Sequence, residues 1–127
     1  MNKIKDYSPI VASFFHQIIK GGWKISVVAN CCGQRFELND KGNAEAKKIA
    51  KEQVLAGDES RVVFRKPNGE GKNMKVVALL ILGNGADELV ADWSFSSEKA
   101  DNDFEIAWDA FRKVWEDKEV PTINVEL

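Results

Sequence analysis

The chain has 127 residues and a formal net charge of −2, from 18 lysines and arginines against 20 aspartates and glutamates. This length fits one domain, and a hydrophobic content of 44% is too high for a disordered chain. The near-neutral balance excludes binding or mimicking nucleic acid by bulk charge, and the single histidine excludes sites that need two imidazoles.

The apolar segments are too short for a signal peptide or a membrane helix. The first apolar run, Ile10 to Phe15, is interrupted by His16, and no small-residue cleavage site follows it. The longest run, Val76 to Leu82, has seven residues, whereas a membrane-spanning helix needs about 20. We therefore expect a cytoplasmic protein with no membrane contact.

The first predicted element is a helix that starts after Ser8, a good N-cap, with Pro9 in the first helical position. Gly21 and Gly22 end it. Apolar residues recur as adjacent pairs every four positions, which predicts a wide buried side. These residues are Ile10, Val11, Phe14, Phe15, Ile18 and Ile19.

A β-hairpin is predicted next. The stretch 23–27 alternates so that Trp23, Ile25 and Val27 share an inward face, and 34–38 is a second alternating strand. After a polar break, Asn43 caps a second helix over 44–56.

Three strands follow this helix. In the stretch 60–66 the pattern places Val62 and Phe64 on one face and Arg61, Val63 and Arg65 on the other. The stretch 74–82 is apolar at nearly every position, which indicates a strand covered on both faces. The stretch 88–95 alternates and pairs with it as a hairpin. We expect either the first helix, our preference, or a second subunit to cover the far face of the sheet, so a homodimer through the sheet is possible.

The last helix is predicted to start at Asp101 or Asp103, and residues 119–127 form a C-terminal tail. The order is therefore α-β-β-α-β-β-β-α. We predict a single α+β domain over residues 1–127, with a five-stranded, mainly antiparallel sheet and packed helices.

The near-neutral total conceals two oppositely charged segments. Residues 41–75 carry nine basic and five acidic residues, a balance of +4, and residues 92–127 carry four and ten, a balance of −6. The acidic segment is a candidate partner-binding surface through Asp101, Asp103, Glu105, Asp109 and Trp115. The basic segment is a candidate phosphate or nucleic-acid site through Arg61, Arg65, Lys66, Lys72 and Lys75.

No complete catalytic set is visible in the sequence, so an enzyme is the less favoured class. We expect no cofactor and no metal, because a structural zinc site needs about four cysteine or histidine ligands and the chain has three. The leading prediction is a small non-enzymatic domain that binds another protein, such as the inhibitors or accessory factors that phages and plasmids encode. One alternative is binding of nucleic acid or a phosphate ligand through the basic 61–75 hairpin. Another is a small thiol-dependent enzyme that uses Cys31 or Cys32 with His16.

Overall fold

This computed structural model describes residues 9–30, 33–56, 59–69, 71–83 and 88–123, with side chains at all of these positions except 9, 56, 83, 88 and 115–123. Three helices and a five-stranded antiparallel sheet follow the order α-β-β-α-β-β-β-α, which confirms the prediction. The strand order in the sheet is β2-β1-β3-β4-β5. The elements are α1 (Pro9–Lys20), β1 (Lys24–Asn30), β2 (Arg35–Glu37), α2 (Asn43–Ala56), β3 (Glu59–Pro67), β4 (Asn73–Gly83), β5 (Glu88–Phe95) and α3 (Glu98–Ile123).

All three helices pack on the same face of the sheet, which we call the covered face. A single core joins the buried residues of α1, α2 and α3 to the inward residues of the strands. The expectation that α1 covers the opposite face is therefore wrong. The reason is aromatic packing between the helices. Phe14 of α1 lies edge-on to Trp108 and Phe111 of α3, with ring centroids 5.7 and 5.5 Å apart.

The end of α1 follows from its glycines, as predicted. The amide of Gly22 donates to the carbonyl of Ile19 at 2.9 Å, and the amide of Trp23 donates to that of Ile18 at 3.3 Å. This is a Schellman ending, which requires a left-handed residue at Gly22, where φ is +99°. Trp23 and Ile18 are both buried, so the turn directs the chain from the helix into the core.

Strand β1 contains a bulge that the sequence pattern did not reveal. Its pairing with β3 shifts register between Ile25 and Val27, so that Ser26 and Val27 both face away from the core. Val28 then takes the next core position. The expectation that Trp23, Ile25 and Val27 share a face is therefore wrong for Val27.

Helix α3 begins earlier than predicted. It starts at Glu98 rather than at Asp101 or Asp103, because the hydroxyl oxygen of Ser97 accepts a hydrogen bond from the amide of Ala100 at 3.1 Å. It also extends to Ile123, so the predicted tail is helical from 119 to 123, and residues 124–127 lie outside the described part of the chain.

Candidate functional site

One face of the sheet is covered by none of the helices α1 to α3, and we call it the open face. Strand alternation determines which residues lie on the open face. Val62 and Phe64 are fully buried on the covered face, so their neighbours in β3 point to the open face. The described side chains on the open face are Lys24, Ser26, Val27, Ala29, Arg35, Glu37, Glu59, Arg61, Val63, Arg65, Pro67, Asn73, Lys75, Val77, Leu79, Ile81, Val90, Asp92 and Ser94.

The centre of the open face is apolar. In β4, Val77 and Leu79 are half-buried and Ile81 is 38% exposed. Val63 of β3 pairs with Val77, and Val90 of β5 pairs with Ile81 and is 48% exposed. These five side chains, the apolar strip, form a contiguous group on three neighbouring strands. Contiguous exposed apolar surface of this kind is typical of an interaction site.

A shallow depression lies beside the apolar strip, with a volume of about 240 Å³. Arg61 and Asp92 border it on either side of Leu79, because the three residues lie in register on β3, β4 and β5. The depression therefore combines an apolar floor with one cation and one anion, and it offers a place for a single protruding side chain of a partner.

One end of the open face is basic. Lys24 of β1 pairs with Arg65 of β3, and Arg65 pairs with Lys75 of β4, so three cations lie side by side; we call them the basic row. Like charges directly opposite one another destabilise a sheet. Within the described ranges none of the three forms an ion pair. The basic row is therefore suited to a negatively charged group on a partner.

The opposite end of the open face carries a carboxylate. Glu59 starts β3 and pairs with Ile81, three rows away from Arg65. At the β2 edge, Arg35 and Glu37 form an exposed ion pair at 2.9 Å. Charge along β3 therefore changes sign from one end of the open face to the other.

The predicted basic residues do not form one cluster. Arg61, Arg65 and Lys75 share the open face, and Lys72 is exposed in the loop between β3 and β4. Lys66 points to the covered side. Its ammonium donates to the Asp103 carboxylate at 2.8 Å and to the Gly21 carbonyl at 2.8 Å, tying β3 to α3 and to the end of α1.

The predicted acidic residues are also divided. Besides Asp103, Asp101 is engaged within the fold, because its carboxylate accepts a hydrogen bond from the indole N–H of Trp93 at 2.9 Å. Glu105 and Asp109 are exposed on α3. The side chain of Trp115 lies outside the described residues. Two of the predicted partner-binding acids thus have internal roles.

Two further depressions were not foreseen from the sequence. One, of about 420 Å³, is lined by three cations, Lys24, Lys41 and Arg65, and by the polar side chains of Ser26 and Asn39. Ser26 is almost fully buried. Its hydroxyl donates to Asn39 at 2.7 Å and accepts from the Nε of Arg65 at 3.3 Å, which holds the guanidinium beside the bulge.

The second unforeseen depression lies between α1 and α3 and has a volume of about 460 Å³. Ile106 of α3 borders it and is 71% exposed. Its apolar surroundings are mainly alanines, Ala107 and Ala110, so Ile106 is an isolated exposed side chain rather than part of a broad patch.

The thiol alternative falls mostly outside the described residues, because Cys31 and Cys32 are not among them. His16 is exposed on α1. Over the described ranges no group of three or more histidine, cysteine, aspartate or glutamate side chains is placed to hold a metal ion.

Sequence reasoning missed Lys24, Arg35 and Glu59 as parts of the site. Their significance depends on which strands are neighbours, and the pairing of β1 with β3 across α2 cannot be read from local pattern. The alternation of Arg61, Val63 and Arg65 against buried neighbours did predict the outward set of β3.

Comparison with protein-family models, with curated proteins and with solved structures finds no match to this chain. No helix in the described ranges is both long and apolar enough to cross a membrane. The functional argument therefore depends on the surface itself. Chemically, the open face can bury apolar groups at its centre and bind anionic groups at its basic row.

Proposed function

We propose that this chain is a non-enzymatic binding domain that docks another protein on the open face of its sheet. The observation that carries the proposal is the apolar strip, in which β4 presents Val77, Leu79 and Ile81 on a face that α1 to α3 leave uncovered. Burial of such surface is the main favourable contribution to most protein association.

The composition of the open face favours a protein partner over a nucleic acid. Single-stranded nucleic acids are bound by stacking their bases on aromatic side chains, and the described open-face residues include no aromatic ring. The basic row occupies one end of the face and an apolar strip occupies its centre. The matching partner has an apolar centre with acidic side chains beside it.

The acidic residues of α3 are less suited to binding a partner than the open face is. Asp101 and Asp103 are held by Trp93 and Lys66, so they are less available to a partner than the acidic composition of α3 suggests. Glu105 and Asp109 stay exposed and can add a secondary contact. The inhibitory or accessory role stays a prediction. The cytoplasmic location also stays a prediction.

A site-specific photo-crosslinking experiment tests the proposal. A photoreactive amino acid is placed in living cells at Val90 on the open face or, as a control, at Ile106 on α3, since both side chains are exposed. We expect protein adducts from position 90, identified by mass spectrometry, and few from position 106. Adducts solely from position 106, nucleic-acid adducts from position 90, or no adducts would contradict the proposal.

A further inference from the structure

The order of charges on β3 and β2 makes these two strands of the open face complementary to themselves when their rows are reversed. On β3, Arg65 stands at one end, Val63 and Arg61 follow, and Glu59 stands at the other end. On β2, Arg35 and Glu37 occupy neighbouring rows in the same way. Each of these strands therefore presents a cation in one row and an anion in another.

Two copies of the chain can stack face to face about a two-fold axis in two ways. If the axis runs parallel to the strands, each row lies over itself, so the basic row of one copy meets the basic row of the other. If the axis runs across the strands, the rows are reversed. Arg65 of one copy then lies over Glu59 of the other copy.

The reversed arrangement also matches the apolar centre, although it places two cations over apolar side chains, Arg61 over Val63 and Lys75 over Ile81. Val77 of each copy lies over Leu79 of the other, which buries the centre of the apolar strip against itself. At the β2 edge, Arg35 lies over Glu37. Aligned sheet packings deviate by about 30° from parallel strands, so these pairs are neighbours rather than strictly superposed residues.

We propose that the occupant of the open face is a second copy of this chain, stacked about a two-fold axis that runs across the strands. The inference rests on the proposed docking function of that face and names its partner. In this arrangement Glu59 of each copy neutralises Arg65, one of the three cations in the other copy's basic row. Two-fold dimers are the commonest symmetric assemblies of identical chains.

The small area of the open face predicts a weak dimer. Five strands about 4.8 Å apart and four rows about 6.8 Å apart give a face of roughly 20 by 20 Å. Two copies bury roughly 800 to 1,000 Å² in total, which is below the roughly 1,200 Å² of stable specific interfaces and in the range of weak, transient ones. We therefore expect a dimer with a dissociation constant of about 1 μM or weaker that exchanges with the monomer.

Charge reversal at the two ends of β3 tests the arrangement by sedimentation across a concentration range. Arg65→Glu and Glu59→Arg, each alone, place like charges together twice in the dimer, and each should weaken association by about tenfold or more. In an equimolar mixture of the two variants, both contacts again join opposite charges. The mixture should therefore form a heterodimer with an affinity close to that of the wild-type dimer.

Recovery of the affinity in the mixture shows whether a single variant associates weakly because it loses an interface contact or because it misfolds. Arg65→Glu also removes the hydrogen bond to Ser26, and a loss caused by misfolding would not be recovered by adding Glu59→Arg. As a control, Glu105→Arg on α3 reverses an exposed charge on the other side of the molecule and should leave the dimer unchanged.

Three results would overturn the inference. A wild-type chain that stays monomeric at about 1 mM excludes a dimer of the expected strength. Single variants that associate as tightly as the wild type point to the axis parallel to the strands, since each row then faces itself. Weakened variants without recovery on mixing exclude the Arg65–Glu59 contact. A monomeric chain that still crosslinks a different protein from position 90 leaves the docking proposal intact.

Discussion

The two faces of β4 have almost the same amino-acid composition and opposite surroundings. Val76, Ala78 and Leu80 point to the covered face and are at most 1% exposed. Val77 and Leu79, between them, point to the open face, where α1 to α3 provide no cover. The apolar character of a strand thus shows that both of its faces prefer burial, but it does not show which face the chain's own helices cover.

The largest expected effect lies on the covered face, at Phe14. Its ring is fully buried and packs against Phe15, Phe64, Trp108 and Phe111, with centroids 5.1 to 6.1 Å apart. Phe14→Ala leaves a cavity where α1, α3 and the sheet meet, so the free energy of unfolding should fall by about 3 to 5 kcal/mol. Chemical denaturation measures this. A loss below about 1 kcal/mol would mean that α1 does not pack on this face.

The next prediction compares neighbouring valines on the two faces of β4. Val76→Thr buries a hydroxyl in an apolar core and should lower the free energy of unfolding by about 2 kcal/mol. Val77→Thr makes the same chemical change on the open face, where the hydroxyl can reach water, and should cost less than about 0.5 kcal/mol. Parallel urea titrations at low protein concentration measure both. Equal costs would indicate that the open face is covered in the monomer.

The two lysines Lys66 and Lys75 extend the comparison to charge. Lys66→Met keeps the length of the side chain but removes the contacts to Asp103 and to the carbonyl of Gly21, so we expect a loss of about 1 to 2 kcal/mol. Lys75→Met removes one charge from the basic row and should change stability by at most about 0.5 kcal/mol. Thermal unfolding of both variants checks this. A larger loss for Lys75→Met than for Lys66→Met would reverse the assignment of the two side chains to their faces.

Apart from the open-face variants Val77→Thr and Lys75→Met, the smallest effect is expected at the start of α3. Ser97→Ala removes the acceptor of the Ala100 amide and should lower the free energy of unfolding by about 1 kcal/mol. Ser97→Asp keeps an acceptor and should retain most of the stability. If both variants unfold like the wild type, the hydroxyl of Ser97 contributes nothing measurable to the cap.

The elements were predictable where a local pattern is strong. The alternation of residues 88–95 gave the bounds of β5, and the adjacent apolar pairs of α1 gave its buried residues. The start of α3 was missed because Asp101 and Asp103 suit the positive end of a helix as well as Ser97 does. The side of the sheet on which α1 packs depends on its rings meeting those of α3, which no window of sequence contains.

The site could be predicted in part. The outward set of β3 followed from alternation, but the basic row needed the pairing of β1 with β3. The separation of Lys66 from Arg65 also follows from alternation, since neighbouring residues of a strand point to opposite faces. The prediction of one basic cluster was wrong for Lys66, because Lys66 and Arg65 are adjacent in sequence but lie on opposite faces of the sheet.

The bulge in β1 has a consequence for how this fold tolerates change in chain length. If Ser26 were deleted, Ile25, Val27 and Val28 would alternate as in a regular strand, and each would keep the side of the sheet that it has now. The deletion would remove the hydroxyl that joins Asn39 to Arg65 and leave the core residues of β1 in place. A related chain that is one residue shorter at this point can therefore adopt the same fold, and an alignment gap at Ser26 would mark the loss of that bridge.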